Sequence, residues 1–562
     1  CGIFLSFTQY DTVQAPRFVG LGNYLSIFTG DREFMQHVLP NTMIYALIVG
    51  PGGYLLSFLL AWLLSQLTKW PRTLLTIIIY SPSVLGAVAQ KVVWGVIFSG
   101  DRVGYLNSLL LSLHIIDEPV LWLTSTKWLM PIMILVGLWS SMGVGFLSLV
   151  SGIMNVDGEL YEAAAIDGVR KRWQEILYIT IPAIRPQMLF SAVMALVGTF
   201  NSPGMGVALS GSNPTPGYAG QLIVNHMDDY GFLRYEMGYA SALSVLLLIL
   251  VWLFSRAAYL LFGEKNYGRY GMAKPSVVKT APQKFHRDQI IIYVLLFPLV
   301  LVMLLPVVYI VFHAFKPIDE LFAFPPRFFT KRPTLDNFRM LFGVAEVSSW
   351  PVSLRLFNSI VSTGAVVAAT VLMSAAAGYV LSKKDFKGKR ALQQINQAAL
   401  MFVPIAVAVP RFLMIKQLGL MDSFLSHILP QLAMPVGLFL VQQFIDQVPD
   451  SLLEAARLDG CSDYGILFRI VMPVIKPALA TVAILSFQQA WTATEASQMF
   501  IDNEKLKTFA YFVASVTAPT GSSLAGQAMS AAAALITFVP VIVLFVIMQS
   551  KVVNTVAHSG IK

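Results

Sequence analysis

Two segments of the chain share a motif whose residue types suit mechanical work rather than bond making. Residues 162–186 read EAAAIDGVRKRWQEILYITIPAIRP, and residues 454–477 read EAARLDGCSDYGILFRIVMPVIKP. Glu162, Ala163, Ala164, Asp167 and Gly168 correspond to Glu454, Ala455, Ala456, Asp459 and Gly460. Pro182 follows its glutamate by 20 residues and Pro473 follows its own by 19. At ordinary residue frequencies the first seven positions match by chance on the order of once in a million windows. Glu-Ala-Ala favours a short helix with little side-chain entropy to lose. The glycine suits its end, because glycine takes left-handed dihedrals without steric cost. An amphipathic piece follows, with Trp173, Ile176, Leu177 and Ile179 in one copy and Ile466, Leu467, Ile470 and Val471 in the other. The proline then ends it. The pattern predicts a stiff helix–turn–helix finger that docks and has no chemistry of its own.

Covalent and metal chemistry lack their usual signatures. No G-x-x-x-x-G-K-[ST] is present to cradle nucleotide phosphates, and no H-E-x-x-H, paired-cysteine spacing or G-x-S-x-G occurs. The seven histidines are scattered, and Cys461, on a finger placed in a reducing compartment, is not expected to form a disulfide. The sequence predicts no enzyme, no metal and no cofactor in this chain.

The elements that must hold the fingers are apolar. Of 562 residues, 56% are hydrophobic and only 12% are Asp, Glu, Lys or Arg, about half the usual charged share near 25%. Apolar runs fall near 41–67, 73–98, 129–154, 183–209 and 239–262, then 290–315, 357–382, 391–418, 424–446, 474–498 and 526–550. Each covers a ~30 Å hydrocarbon core as a helix. The runs are continuous rather than alternating, which excludes a membrane β-barrel. The class is all-α, a polytopic helical membrane protein.

Charge sets an orientation. The segment 263–289 carries Lys265, Arg269, Lys274, Lys279, Lys284 and Arg287 against Glu264 and Asp288, and the positive-inside rule places it in the cytoplasm. Its charge, like the net +9 of the chain, fits topology and anionic lipid rather than nucleic acid. Counting outward places both fingers inside and the loops 99–128, 210–238 and 499–525 outside. The two series are one pattern written twice: CGIFLSFTQYD…FVGLGNYLSIF parallels VYIVFHAFKPIDE…TLDNFRMLF. Asn41-Thr42 and Asn358-Ser359 each open a span, and Pro82 and Pro404 each sit early in the next. The expected domains are 1–262, a basic linker 263–289, and 290–562. On this alignment about 15 to 20 residues of a first span precede Cys1, giving about six spans per half.

The duplicated motif resembles the E-A-A loop of ABC importer permeases, and the resemblance runs over essentially the whole chain. FVGLGNYLSIF, LYEAAAIDG and MGYASALSVLLLI are similar to the first permease of the carbohydrate (maltose-type) importers. TLDNFRMLF, LFNSIVSTGAVVAATVLMSAAAGYVLS and EAARLDGCSDYGILFRIVMP are similar to its partner permease. The resemblance implies the type I ABC importer permease fold, with two permease halves in one chain and residence in a bacterial-type cytoplasmic membrane. It implies an ATPase dimer, with ATP and Mg bound there, docked on the fingers. It also implies an extracytoplasmic solute-binding protein that delivers a sugar or oligosaccharide.

The resemblance further implies a sugar site in the first half. In maltose-type permeases an aromatic residue 23 positions before the E-A-A glutamate stacks on a sugar ring, and here that position is Trp139. Ser140, Ser141 and Gly143 adjoin it, and Thr199, Phe200 and Asn201 align with another contact region. An aromatic face with a few fixed hydrogen-bond groups suits a sugar. The pattern departs at LSGSNPTP (209–216) and at FQQAWTATEASQMF (487–500), where Glu495 is expected to reach the interface by snorkelling. The alternatives are an ion-coupled secondary transporter, a channel, or an ABC permease for a polyamine. Against the ion-coupled transporter, Lys91, Arg411 and Lys416 show no carboxylate partner at depth in the sequence. A channel lacks a legible selectivity element.

Overall fold

The computed structural model describes residues 2–11, 14–84, 87–154, 156–169, 171–200, 205–262, 286–287, 289–321, 323, 326–347, 350–400, 408–446, 448–520 and 524–555. Among these the chain is helical throughout its apolar runs, as lipid demands of any backbone that must close its own hydrogen bonds. Extended pairing is confined to Thr8–Gln9 against Arg17–Phe18, antiparallel. Five helices can each cross a bilayer: Phe34–Ser65, Met237–Ala258, Gln289–Ala314, Val352–Lys383 and Gly526–Met548. Four further apolar segments are bent pairs, which raises the number to nine among the described residues. The expected runs 73–98 and 391–418 each appear as two helices, Lys69–Val84 with Ala87–Ile97 and Lys389–Leu400 with Ala408–Gln417. Pro404 and most of the linker, 263–285, lie outside the described residues.

Two compact units divide the chain elsewhere than at the sequence halves. One comprises Cys1–Met340, Val403–Pro410 and Thr517–Leu535, and the other Leu341–Phe402, Arg411–Val516 and Ile536–Lys562. Helix Gln289–Ala314, which opens the second half of the sequence, packs against Lys69–Val84 and Ala87–Ile97. The Gln289 side-chain amide donates to the Gln66 carbonyl at 2.9 Å. A sequence repeat specifies which residues are helical but not which half a helix leans on. In the first unit helices Leu39–Ser65, Val144–Met154 and Arg185–Phe200 pack on one another. They approach so closely that a Cβ on Gly145 would lie 2.7 Å from the Ser191 hydroxyl. In the second unit Val352–Lys383 packs on Pro435–Asp446 and Lys476–Trp491, and Gly378 leaves the matching space beside Val441. Small residues at helix contacts are what membrane packing requires.

Equivalent polar clamps close the loops of both repeats. Asn23 Nδ2 donates to the carbonyls of Ser6 and Thr8 at 2.8 and 3.0 Å. Asn337 Nδ2 does the same to Ala314 and Lys316 at 2.9 and 2.8 Å. Asn41 Nδ2 donates to the carbonyls of Tyr218 and Gln221 at 2.7 and 3.4 Å, and Asn358 Nδ2 to those of Lys505 and Lys507 at 2.7 and 3.1 Å. Thr42 Oγ1 accepts from the Ile223 N–H at 3.0 Å, and Ser359 Oγ from the Phe509 N–H at 2.9 Å. The first repeat adds a buried staple in which Asp31 Oδ2 lies 2.7 Å from His226 Nε2 and accepts from the Tyr239 hydroxyl at 2.7 Å. Burial raises the Asp31 carboxyl, but hydrogen bonds from His226, Tyr239 and the Phe34 N–H outweigh it and hold the pKa at about 2.

These clamps make two predictions. Asn358→Leu strands the buried Lys507 carbonyl and frees that of the exposed Lys505, so it lowers stability by about 1–3 kcal/mol, read as a lower thermal midpoint of the purified chain. The Asp31 staple has a depressed folded pKa, so its stabilisation is complete above the unfolded value of about 3.9 and is lost as pH falls toward 2. Thermal midpoints of wild type and Asp31→Asn therefore converge at acid pH and separate at neutral pH.

Candidate functional site

The two motif segments adopt the same local structure step by step. Helix Gly158–Ile166 contains Glu162, Ala163 and Ala164, and helix Asp450–Leu458 contains Glu454, Ala455 and Ala456. The first is capped by Asp157, whose carboxylate accepts from the Glu159 N–H at 3.0 Å. Asp167 and Asp459 end the two helices, and Gly168 and Gly460 follow at φ of +91° and +80°. Val169 N–H then donates to the Ala164 carbonyl and Gly168 N–H to Ala165. Cys461 N–H donates to Ala456 and Gly460 N–H to Arg457. This is the Schellman closure, which requires a left-handed residue where each glycine stands. Nothing lies within 4 Å of a Cβ built on either glycine, so the requirement is one of backbone conformation alone.

The second arm of each finger also repeats. Arg172–Glu175 leads into one π-helical turn, Ile176–Thr180, then Ile181–Ala183 with Pro182 in its first turn. Asp463–Ile466 leads into the π-turn Leu467–Val471 and then Met472–Val474 with Pro473. Ile184 and Ile475 leave helical geometry and are both buried. The arm meets the following span, Gln187–Phe200 or Ala478–Met499, at 85° in each copy. Every finger is thus an L, one arm across the end of a span.

Apolar side chains at equivalent positions of both fingers face outward. Ile166 is 87% exposed and Leu458 89%. Trp173 and Leu177 in the first copy, and Tyr464 and Phe468 in the second, are each more than half exposed. Of the amphipathic stripes, Trp173 and Leu177 stay exposed in the first copy, whereas Ile466, Leu467 and Val471 enter the core of the second unit. Glu162 and Glu454 are exposed and carry no partner among the described residues. The second finger is tied to the end of helix Val352–Lys383 by Lys383–Asp450 at 2.9 Å and Lys384–Asp463 at 2.7 Å. The Lys383 hydrogen bond and charge hold the Asp450 carboxyl below the usual range, and those of Lys384 do the same for Asp463.

The residues aligned with a sugar site lie at a break in a span. Leu129–Ser140 and Val144–Met154 meet at 42°, and Gly143, at the break, has open space where a Cβ would stand. Trp139 is buried, its Nε1 has no hydrogen-bond partner among the described residues, and Trp94 meets it edge-on at 5.3 Å between ring centroids. Ser140 donates back to the Val136 carbonyl at 3.0 Å, Ser141 to Leu138 at 2.7 Å and Thr199 to Ala195 at 2.7 Å. Phe200 is buried against Phe254, and Asn201 lies outside the described residues.

One expectation about charge is overturned. Arg411 Nη1 lies 2.5 Å from Glu495 Oε2, so Arg411 has a carboxylate partner and Glu495 does not simply snorkel. The two are 84 residues apart, and spacing alone does not pair them. Lys416 is exposed, and the Lys91 side chain lies outside the described residues.

Comparison with known proteins bears on the whole chain. The family described as "Binding-protein-dependent transport system inner membrane component" matches residues 53–263 and again 288–554. The chain is 31% identical over 298 residues to the probable ABC transporter permease protein YurM of Bacillus subtilis, covering 51% of this chain and 93% of that protein. It is 31% identical to the sulfoquinovosyl glycerol transport system permease protein SmoH of Agrobacterium fabrum, over 46% of this chain and 89% of that protein. A crystal structure of a bacterial ABC transporter involved in alginate import overlaps 48% of this chain and 98% of its own, at 21% identity and a TM-score of 0.40. With two matches that together span more than half of its length, the chain belongs to the family of binding-protein-dependent transport system inner membrane components, as two tandem copies of an ABC importer permease in the inner membrane.

Proposed function

We propose that this chain forms the translocation path of an ATP-driven importer for a sugar or oligosaccharide, and that its two E-A-A fingers dock on separate ATPase subunits. The observation that carries this reading is the pair of L-shaped fingers of matching local structure, each with a closed Schellman turn and exposed apolar side chains at matching positions. Burying a Leu or Ile side chain is worth about 1.5–3 kcal/mol, so Ile166 and Leu458 reward a partner with a cleft. Glu162, Asp167, Glu454 and Asp459 add charge around them. Two equivalent docking elements fit a dimeric motor whose closure on ATP shifts the spans between inward-facing and outward-facing states. ATP and Mg belong to that motor, and no hydrolysis is assigned to this chain. A solute-binding protein that presents the substrate outside accords with the family description.

The substrate class follows from relatives that carry sulfoquinovosyl glycerol and arabinooligosaccharides. The broken span at Trp139 to Gly143 is the proposed contact in the first repeat. A helix broken within the bilayer is a recurrent place for a substrate. Trp139 supplies an aromatic face and an unpaired N–H, while Ser140, Ser141 and Thr199 must give up their backbone bonds to reach a sugar. The Arg411–Glu495 pair removes one sequence argument against an ion-coupled transporter, and family membership takes its place.

Gly168→Val or Gly460→Val forces a β-branched residue into a left-handed turn at a cost of about 1–3 kcal/mol. Each should abolish solute uptake while leaving the chain in the membrane, as read by uptake and membrane immunoblot. Normal uptake by both variants overturns the finger reading. Ile166→Asp with Leu458→Asp should strip the ATPase from the chain in co-purification from solubilised membranes. An ATPase retained at wild-type yield places the docking surface elsewhere.

A further inference from the structure

A second polar feature is built from residues that belong neither to the fingers nor to the Trp139 segment. In the second unit, helices Lys389–Leu400 and Pro435–Asp446 flank a cleft of about 140 Å³. Its lining is Gln393, Asn396 and Gln397 from one helix and Phe439, Gln442 and Gln443 from the other. Both triplets have i, i+3, i+4 spacing, so each is one helix face. The volume far exceeds the ~10–15 Å³ that a single water needs.

Five of these six side chains are carboxamides, and none is charged. Gln393 and Asn396 reach backbone carbonyls only at 3.3 and 3.5 Å. Among the described residues Gln397, Gln442 and Gln443 make no side-chain hydrogen bond, and Gln397 and Gln443 are exposed. A carboxamide left unpaired in hydrocarbon costs a few kcal/mol, so the cleft holds water or a ligand that hydrogen-bonds. The rest of helix Lys389–Leu400 agrees. Its apolar Leu392 and Ile395 are exposed on the side away from the cleft, the reverse of a soluble amphipathic helix and the arrangement of one that backs onto lipid and lines a wet path. On the other helix, Val441 and Ile445 occupy the adjacent face and fill the core, leaving 439, 442 and 443 to the cleft.

We propose that this cleft is a subsite for a neutral polyhydroxylated ligand, a carbohydrate, carried by the second repeat. Each carboxamide offers two donors and an acceptor to hydroxyl groups, and Phe439 offers a flat apolar face to sugar C–H bonds. With no cation in the lining, an acidic oligosaccharide gains no counter-charge there. The inference rests on the carbohydrate reading above and narrows it to uncharged sugars at this site.

The test uses membrane vesicles containing the full chain with Cys1→Ser and Cys461→Ser, into which Gln397→Cys or Gln442→Cys is placed. A charged, water-soluble maleimide should label both positions, and neutral arabino- or malto-oligosaccharides should slow labelling several-fold, with oligogalacturonate having no such effect. Gln397→Leu and Gln442→Leu should each raise the half-saturating concentration for uptake about tenfold, the worth of one to two neutral hydrogen bonds, with maximal rate and membrane abundance unchanged. The inference is overturned if either cysteine resists the reagent, if no sugar protects, or if the acidic oligosaccharide protects equally. Loss of the co-purifying ATPase tests the importer reading alone and leaves the labelling result standing.

Discussion

Lipid offers a peptide group no hydrogen bond, and much of this structure is arranged around that fact. Wherever a helix stops, its free carbonyls and N–H groups must be closed by the chain itself. Asn23 closes the turn after Gly2–Leu5 and Asn337 the turn after Gln289–Ala314, and Asn41 and Asn358 tie the head of the next helix to a distant loop. Thr42 and Ser359 take the N–H that opens the short helices Ile223–Asp228 and Phe509–Thr520. The Schellman turns at Gly168 and Gly460 do the same at the finger tips. The two repeats agree most closely at these closures, and less so in the apolar faces, where many side chains serve equally.

The fingers inherit their stiffness from the same closures. With the last carbonyls of the E-A-A helix bonded and the reversal fixed by a left-handed glycine, the short arm has no loose end. The π-turn and the proline then set the 85° bend against the following span. A displacement applied to the tip reaches a span through helices alone. The exposed Ile166 and Leu458 remain unsatisfied in the isolated chain, a pairing of rigidity with unburied apolar surface that an interface requires.

Much of this was legible in the residues. Composition specified a helical membrane protein, the motif located both fingers, and Gly168 and Gly460 were expected in the conformation they adopt. Asn41 and Asn358 stood out as span openers, but their hydrogen bonds reach carbonyls about 150 to 180 residues away, which local pattern does not encode. The exposure of Trp173 and Leu177 was hidden, because an apolar stripe reads alike whether it meets the chain's own core or another protein. The π-turns have no compositional mark, since a shift to i→i+5 bonding is tolerated by the same apolar residues. Arg411 and Glu495 join across separate helices, as do the two carboxamide triplets, so neither pairing is visible along the chain. The alignment of Ser140, Ser141 and Thr199 with a sugar site could not reveal that each hydroxyl is committed to its own helix.

The ion pairs at the second finger break the likeness of the repeats. Lys383 and Lys384 lie just inside the end of the span that Asn358 opens, and they hold Asp450 and Asp463. Counted from Asn41, the same places in the first repeat are Gln66 and Leu67, which carry no charge. Among the described residues one lever is therefore electrostatically moored and its twin is not. A two-fold symmetric engine pushing on both would meet unequal compliance, and the stroke would divide unevenly between the two sides, by an amount that dissolved salt adjusts.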